Sequence, residues 1–121
     1  MDAALAALAA DALSGRLPAL PDRHFIAGAF VAARSGRTMP SFDPGSGRAF
    51  LDFAAGDEGD VSDAVAAASA AFVGPWRDMK PAERGRSLAR AAALIRENAA
   101  RLAVAESLDC GKPVGEALGD V

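Results

Sequence analysis

Large apolar side chains are scarce in this chain. Leu, Val, Phe and Ile together supply 26 of 121 residues, whereas alanine alone supplies 31. The hydrophobic content of 51% therefore overstates the core. Below about 20% of the large types, a highly charged chain tends to be disordered. The net charge here is only −3, so the expectation is a folded but thinly packed chain. Alanine helices approach closely yet each bury little area, and burial is worth only about 25 cal/mol per Å². Such a chain is expected to need a larger body to pack against.

Cysteine and histidine each occur once. A single cysteine excludes an internal disulfide and fits a reducing, cytoplasmic compartment. His24 has no second histidine or cysteine at ligand spacing, which excludes a zinc site and leaves it the role of a strand-end residue. No stretch is long or apolar enough to span a membrane. Met1-Asp2 is acidic where a signal peptide needs positive charge, and Asp11 interrupts the apolar run behind it. Excess basic charge is also lacking, which argues against a nucleic-acid partner. The arginines between Arg84 and Arg101 are interleaved with Glu83 and Glu97 and read as a solvated helix face. The length fits one domain.

What is present is organised around Pro75 to Pro113. Pro81 suits a first helical position, where its fixed φ is already correct and its missing N–H has no partner to lose. Leu88, Ala92, Ile95, Ala99 and Leu102 then recur at helical spacing on one face. Asn98 in the middle is a candidate cap for a second helix, through a side-chain bond to the next turn. Gly111 can take the left-handed conformation that closes a helix, and Pro113 prevents its continuation.

Before that stretch, residues 2 to about 13 predict a short helix, either a docking helix or a frayed extension, with Leu5, Leu8 and Ala12 on one side and Gly15 just beyond its end. Leu17-Pro18 and Leu20-Pro21 predict a stiff linker. His24 to Val31 predicts a tight hairpin with Gly28 supplying positive φ in its turn. Ser35-Gly36-Arg37 is a second turn. Thr38 to Phe42 and Arg48 to Ala54 predict strands joined through Gly45-Ser46-Gly47. Asp57 then predicts an N-cap, with Asp60 completing a capping box in place of Glu. Val61, Ala64, Val65, Ala68, Ala71 and Phe72 are the predicted buried face of the helix that follows, and Gly74-Pro75 ends it. The fold class expected is α+β, with two short antiparallel hairpins plus helices and no complete Rossmann sheet.

The order of these motifs resembles the opening of the aldehyde dehydrogenase superfamily. Phe25-Ile26-x-Gly28-x-Phe30-Val31 is followed by Ser35-Gly36-Arg37-Thr38 and Asp43-Pro44-x-Ser46-Gly47. Gly56-Asp57-x-x-Asp60-Val61-x-x-Ala64-Val65 leads to Ala71-Phe72, Trp76, Pro81-Ala82-Glu83-Arg84-Gly85 and Leu108-Asp109-x-Gly111-Lys112-Pro113. The likeness is collinear over about residues 24 to 121. Cys110 inside the last motif is similar to the betaine-aldehyde and ω-amino-aldehyde branch. On this resemblance, residues 1–23 are a helical extension with a Pro-rich linker, and 24–121 an incomplete N-terminal segment of a cofactor-binding domain.

The resemblance implies an intact enzyme that oxidises an aldehyde to a carboxylic acid with NAD or NADP. A cysteine attacks the aldehyde carbon, hydride passes to the nicotinamide, and a glutamate activates the water that releases the acid. In the family those catalytic residues, and the dinucleotide-binding sheet, lie beyond the matching region, and the last residues, Gly115 to Val121, sit where a helix should be under way. This chain alone is expected to hold no cofactor and to have no activity. Its expected partner is the remainder of a dehydrogenase or a homologous full-length subunit.

Cys110 is the tempting nucleophile. Lys112 nearby favours it, but Asp109 is adjacent, and the family nucleophile sits in a Gly-Gln-x-Cys context while this chain has no glutamine. It reads as a small residue in a helix-terminal turn. Gly45-Ser46-Gly47 begins like a dinucleotide fingerprint, but Phe50 replaces its last glycine and the required acidic residue is missing. Gly111-Lys112 lacks the Ser or Thr and the earlier glycine of a phosphate loop. The resemblance also implies a monovalent cation held by a backbone carbonyl at Ser41 or Phe42 and by Asp109. A helix-end carboxylate making local hydrogen bonds is the plainer reading of Asp109.

A second reading is a small helical interaction module. It would dock on a full-length dehydrogenase through Val61-Val65-Phe72 and Leu88-Ile95-Leu102, because extended apolar faces mark interaction sites.

Overall fold

The computed structural model describes residues 3–14 and 19–121. The predicted helix end at Gly15 and the Leu17-Pro18 linker lie outside the described residues. Among the described residues there are six helices and four strands: α1 Ala3–Leu13, β1 His24–Ile26, β2 Ala29–Val31, β3 Thr38–Asp43, β4 Arg48–Ala54, α2 Glu58–Val73, α3 Pro75–Asp78, α4 Pro81–Glu97, α5 Ala99–Cys110 and α6 Val114–Asp120. The strands form two separate two-stranded sheets, β1-β2 and β3-β4. The chain is thus α+β, and no described helix is long and apolar enough to cross a membrane. It divides into two compact units.

The first unit contains the described residues of 1–20, with 40–51 and 91–121. Leu5 packs with Ala103, Val104 and Ala117, and Leu8, Ala9 and Ala12 extend the contact along α1. Spacings of three and four residues put Leu5, Leu8 and Ala12 on one helical face, and α1 docks on α5 by that face. Leu5 and Val104 are the largest fully buried side chains among the described residues. The other fully buried residues of this core are alanines, and Leu8, Leu108, Val114 and Leu118 are only partly covered, so the helices lie close but remove little apolar surface from water.

The second unit contains residues 21–39 and 52–90. In its first hairpin His24 pairs with Val31, Phe25 with Phe30, and Ile26 with Ala29. The rings of Phe25 and Phe30 lie 5.1 Å apart across the strands. Gly28 has φ +82°, as its turn requires, and Ala27 also has positive φ, at +52°. Two positive central residues suit the twist of paired strands. The alanine was not legible as such, because an L-residue with a β-carbon rarely takes that conformation.

Asp57 caps α2 as its spacing predicted: its side chain accepts from the N–H groups of Gly59 and Asp60, while the Asp60 side chain accepts from Asp57 N–H. Beyond that cap, the structure corrects two expectations. The predicted buried face of α2 is open: Val61, Val65 and Phe72 are 61%, 60% and 71% exposed. The buried side chains of this unit are Ala33, Ala54 and Asp60, too little apolar volume to form a core around that stripe. Leu88, Ile95 and Leu102 are exposed in the same way.

The second correction concerns Asn98. It stands at the N-cap position of α5, but its side chain makes no capping bond. Instead its amide Nδ2 donates back to the Leu94 carbonyl at 2.9 Å. Asn98 therefore satisfies the end of α4 rather than the start of α5. A short helix, α3, also fills Pro75–Asp78, and the Arg84 guanidinium holds it by donating to the Met79 and Trp76 carbonyls.

Candidate functional site

Two of the residues singled out for chemistry, Ser41 and Asp109, meet in the first unit. Ser41 lies on β3 and Asp109 in the last turn of α5, 68 positions apart. The Ser41 hydroxyl donates to Asp109 Oδ1 at 2.7 Å. Phe42 follows Ser41 on the strand, so its side chain points to the other face, and it is 55% exposed.

The turn between β3 and β4 braces this contact. Asp43 accepts from Gly45 N, Ser46 N and the Ser46 hydroxyl at 2.9, 3.2 and 2.6 Å. The hydroxyl bond first, and the backbone bonds after it, hold the Asp43 carboxyl below its ordinary range. The turn carries Pro44, whose ring lies over Gly111 at the end of α5. Gly111 has the predicted left-handed conformation, φ +73°, and its N–H bonds to the Ser107 carbonyl.

Chemically, this place offers one exposed carboxylate and the backbone oxygens of a strand. A hard cation takes several oxygen ligands. Among the described residues no group of three or more His, Cys, Asp or Glu side chains is arranged to hold a metal. What the structure shows at this place is one hydrogen bond, Ser41 to Asp109, with Phe42 next on the strand.

Gly45-Ser46-Gly47 is a hairpin turn running into strand β4, so no helix N-terminus faces the loop to receive a pyrophosphate. No parallel strand pair is present among the described residues.

Cys110 is the last residue of α5, exposed, with its thiol directed at the Glu106 carbonyl at 3.0 Å. Lys112, the one favourable sign in its sequence context, pairs instead with Glu106 at 3.5 Å and with Asp120. With that ammonium bound by two carboxylates, the electropositive setting that activates a thiol is not built.

Sequence reasoning missed a second polar centre, in the other unit. Asp60 is 5% exposed. Besides closing the capping box, it accepts from Arg34 N–H at 3.0 Å through Oδ1. The Arg34 side chain donates to Asp63 at 2.8 and 2.5 Å. The Asp57 N–H bond, and then the Arg34 N–H with the charges of His24 and Arg34, hold the Asp60 carboxyl below its ordinary value against the cost of burial. Asp60 thus ties the turn after β2 to the start of α2. The capping motif was the only signal in the sequence, since the tie to Arg34 spans 26 positions. His24 opens β1, and its Nε2 is buried with no partner among the described residues.

Residues 30–121 match the Aldehyde dehydrogenase family. The aminoacetaldehyde dehydrogenase of Pseudomonas aeruginosa is 49% identical over 98 residues, which are 80% of this chain and 20% of that protein. The betaine aldehyde dehydrogenase of Brucella ovis is 40% identical over 95 residues, 78% of this chain and 19% of that protein. Among solved structures, the gamma-glutamyl-gamma-aminobutyraldehyde dehydrogenase of Burkholderia cenocepacia superposes with a TM-score of 0.85 at 40% identity, covering 94% of this chain and 23% of that one. The chain thus spans about a fifth of the length of the relatives it matches. With the motif order, both hairpins, the capped α2 and the αL end of α5 all in agreement, this chain belongs to the aldehyde dehydrogenase family.

Proposed function

We propose that this chain is the N-terminal segment of an NAD(P)-dependent aldehyde dehydrogenase, and that alone it neither binds the dinucleotide nor oxidises aldehydes. The observation that carries this reading is the open apolar surface of the second unit. Phe25, Ile26, Ala27 and Gly28 line a groove with Ala64, Ala67, Ala68 and Ala71. Val61, Val65 and Phe72 continue it along α2 at helical spacing. Scattered apolar residues are normal on a surface, but a continuous stripe marks a contact site. The remainder of a dehydrogenase is the partner that the family assignment points to. When bound, the dinucleotide would accept the hydride; the residues of this chain would contribute scaffold.

In that assembly Asp109, with its Oδ1 held by Ser41, and the backbone carbonyl at Phe42 would supply part of a monovalent cation shell. The aminoacetaldehyde and betaine aldehyde dehydrogenases among the relatives support an amino-type aldehyde as the substrate class. A cytoplasmic setting suits the single unpaired thiol.

Two experiments test this. In the first, purified chain is mixed with NAD or NADP and a panel of aldehydes, and absorbance of the reduced cofactor is followed; turnover above blank overturns the inactivity. In the second, the chain is co-expressed with the Pseudomonas aeruginosa relative deleted of its matching segment. Recovered turnover supports the reading. If the chain instead co-purifies with the undeleted relative and never restores the deleted one, the second reading stands, a non-catalytic module docking on a full-length dehydrogenase. The same exposed stripe on α2 favours that alternative.

A further inference from the structure

We draw no further inference here: the strongest candidate, the exposed apolar surface patch between the turn of the first hairpin and α2 (Phe25, Ala64, Ala68 and Ala71), is the face that the proposed function already assigns to the remainder of a dehydrogenase, and nothing in the structure shows what else covers it.

Discussion

A β-carbon placed on Gly111 would lie 2.8 Å from Cγ of Pro44. Two constraints therefore meet at this glycine, the left-handed φ that ends α5 and the proline ring pressed against it. Gly111→Ala is expected to destabilise the chain by about 1–3 kcal/mol, combining left-handed strain with the clash. Urea unfolding followed by circular dichroism measures it. Adding Pro44→Ala should recover the steric part and leave the conformational part. Full recovery would mean that the left-handed backbone costs nothing here.

Asp57 carries the start of α2. Asp57→Ala leaves the N–H groups of Gly59 and Asp60 without their side-chain acceptor and should cost about 1 kcal/mol. Asp57→Asn keeps an acceptor in place and should cost much less. Equal losses from the two variants in urea melts would rule out capping as the cause.

Acid should loosen the second unit through Asp60. Its folded-state pKa lies below the ordinary carboxylate value of 3.8. The unfolded state therefore binds the proton more readily. The stabilisation is complete above the unfolded value and is lost as pH falls through the folded one. Thermal melts from pH 7 down to pH 2 should show this fall. Asp60→Asn should start less stable at pH 7 and show a flatter acid limb; an unchanged limb would assign the acid sensitivity to other carboxylates such as Asp43.

Core and stripe should respond oppositely to substitution. Leu5→Ala removes one of the two largest buried side chains and should cost about 2–5 kcal/mol. Phe72→Glu, at 71% exposure, should change the stability of the isolated chain by no more than about 0.5 kcal/mol. In the complementation experiment Phe72→Glu should abolish recovered activity. Activity surviving at wild-type level would remove α2 from the proposed contact.

The cation proposal has its own test. In the complemented enzyme, activity should be higher in potassium chloride than in tetramethylammonium chloride at equal ionic strength. Asp109→Ala should erase the difference by removing the anionic oxygen of the shell. A potassium response that survives Asp109→Ala would place the cation elsewhere.

Much of the local structure was legible in the sequence because its causes are local. Asp57 and Asp60 stand three apart, so a capping box could be read directly. Gly28 and Gly111 mark positions where positive φ is needed, and Pro81 starts α4 where its missing N–H does no harm. Ser41 and Asp109 were singled out together by family likeness alone, since nothing in their own neighbourhoods says that a strand and a helix end will meet.

Backbone preference and short-range hydrogen bonds were therefore legible in the sequence itself at the capped start of α2, the start of α4, the end of α5 and the turn at Gly28. Tertiary structure decided which apolar stripe is covered. Leu5 is buried against α5, with Leu8 and Ala12 partly covered beside it, while Val61, Val65 and Phe72 have equally good helical spacing and remain open. It also decided that Asn98 serves the helix behind it and that Asp60 reaches back to Arg34. The physical reason is that periodicity tells which residues share a face, whereas burial depends on a second surface brought there by distant parts of the fold.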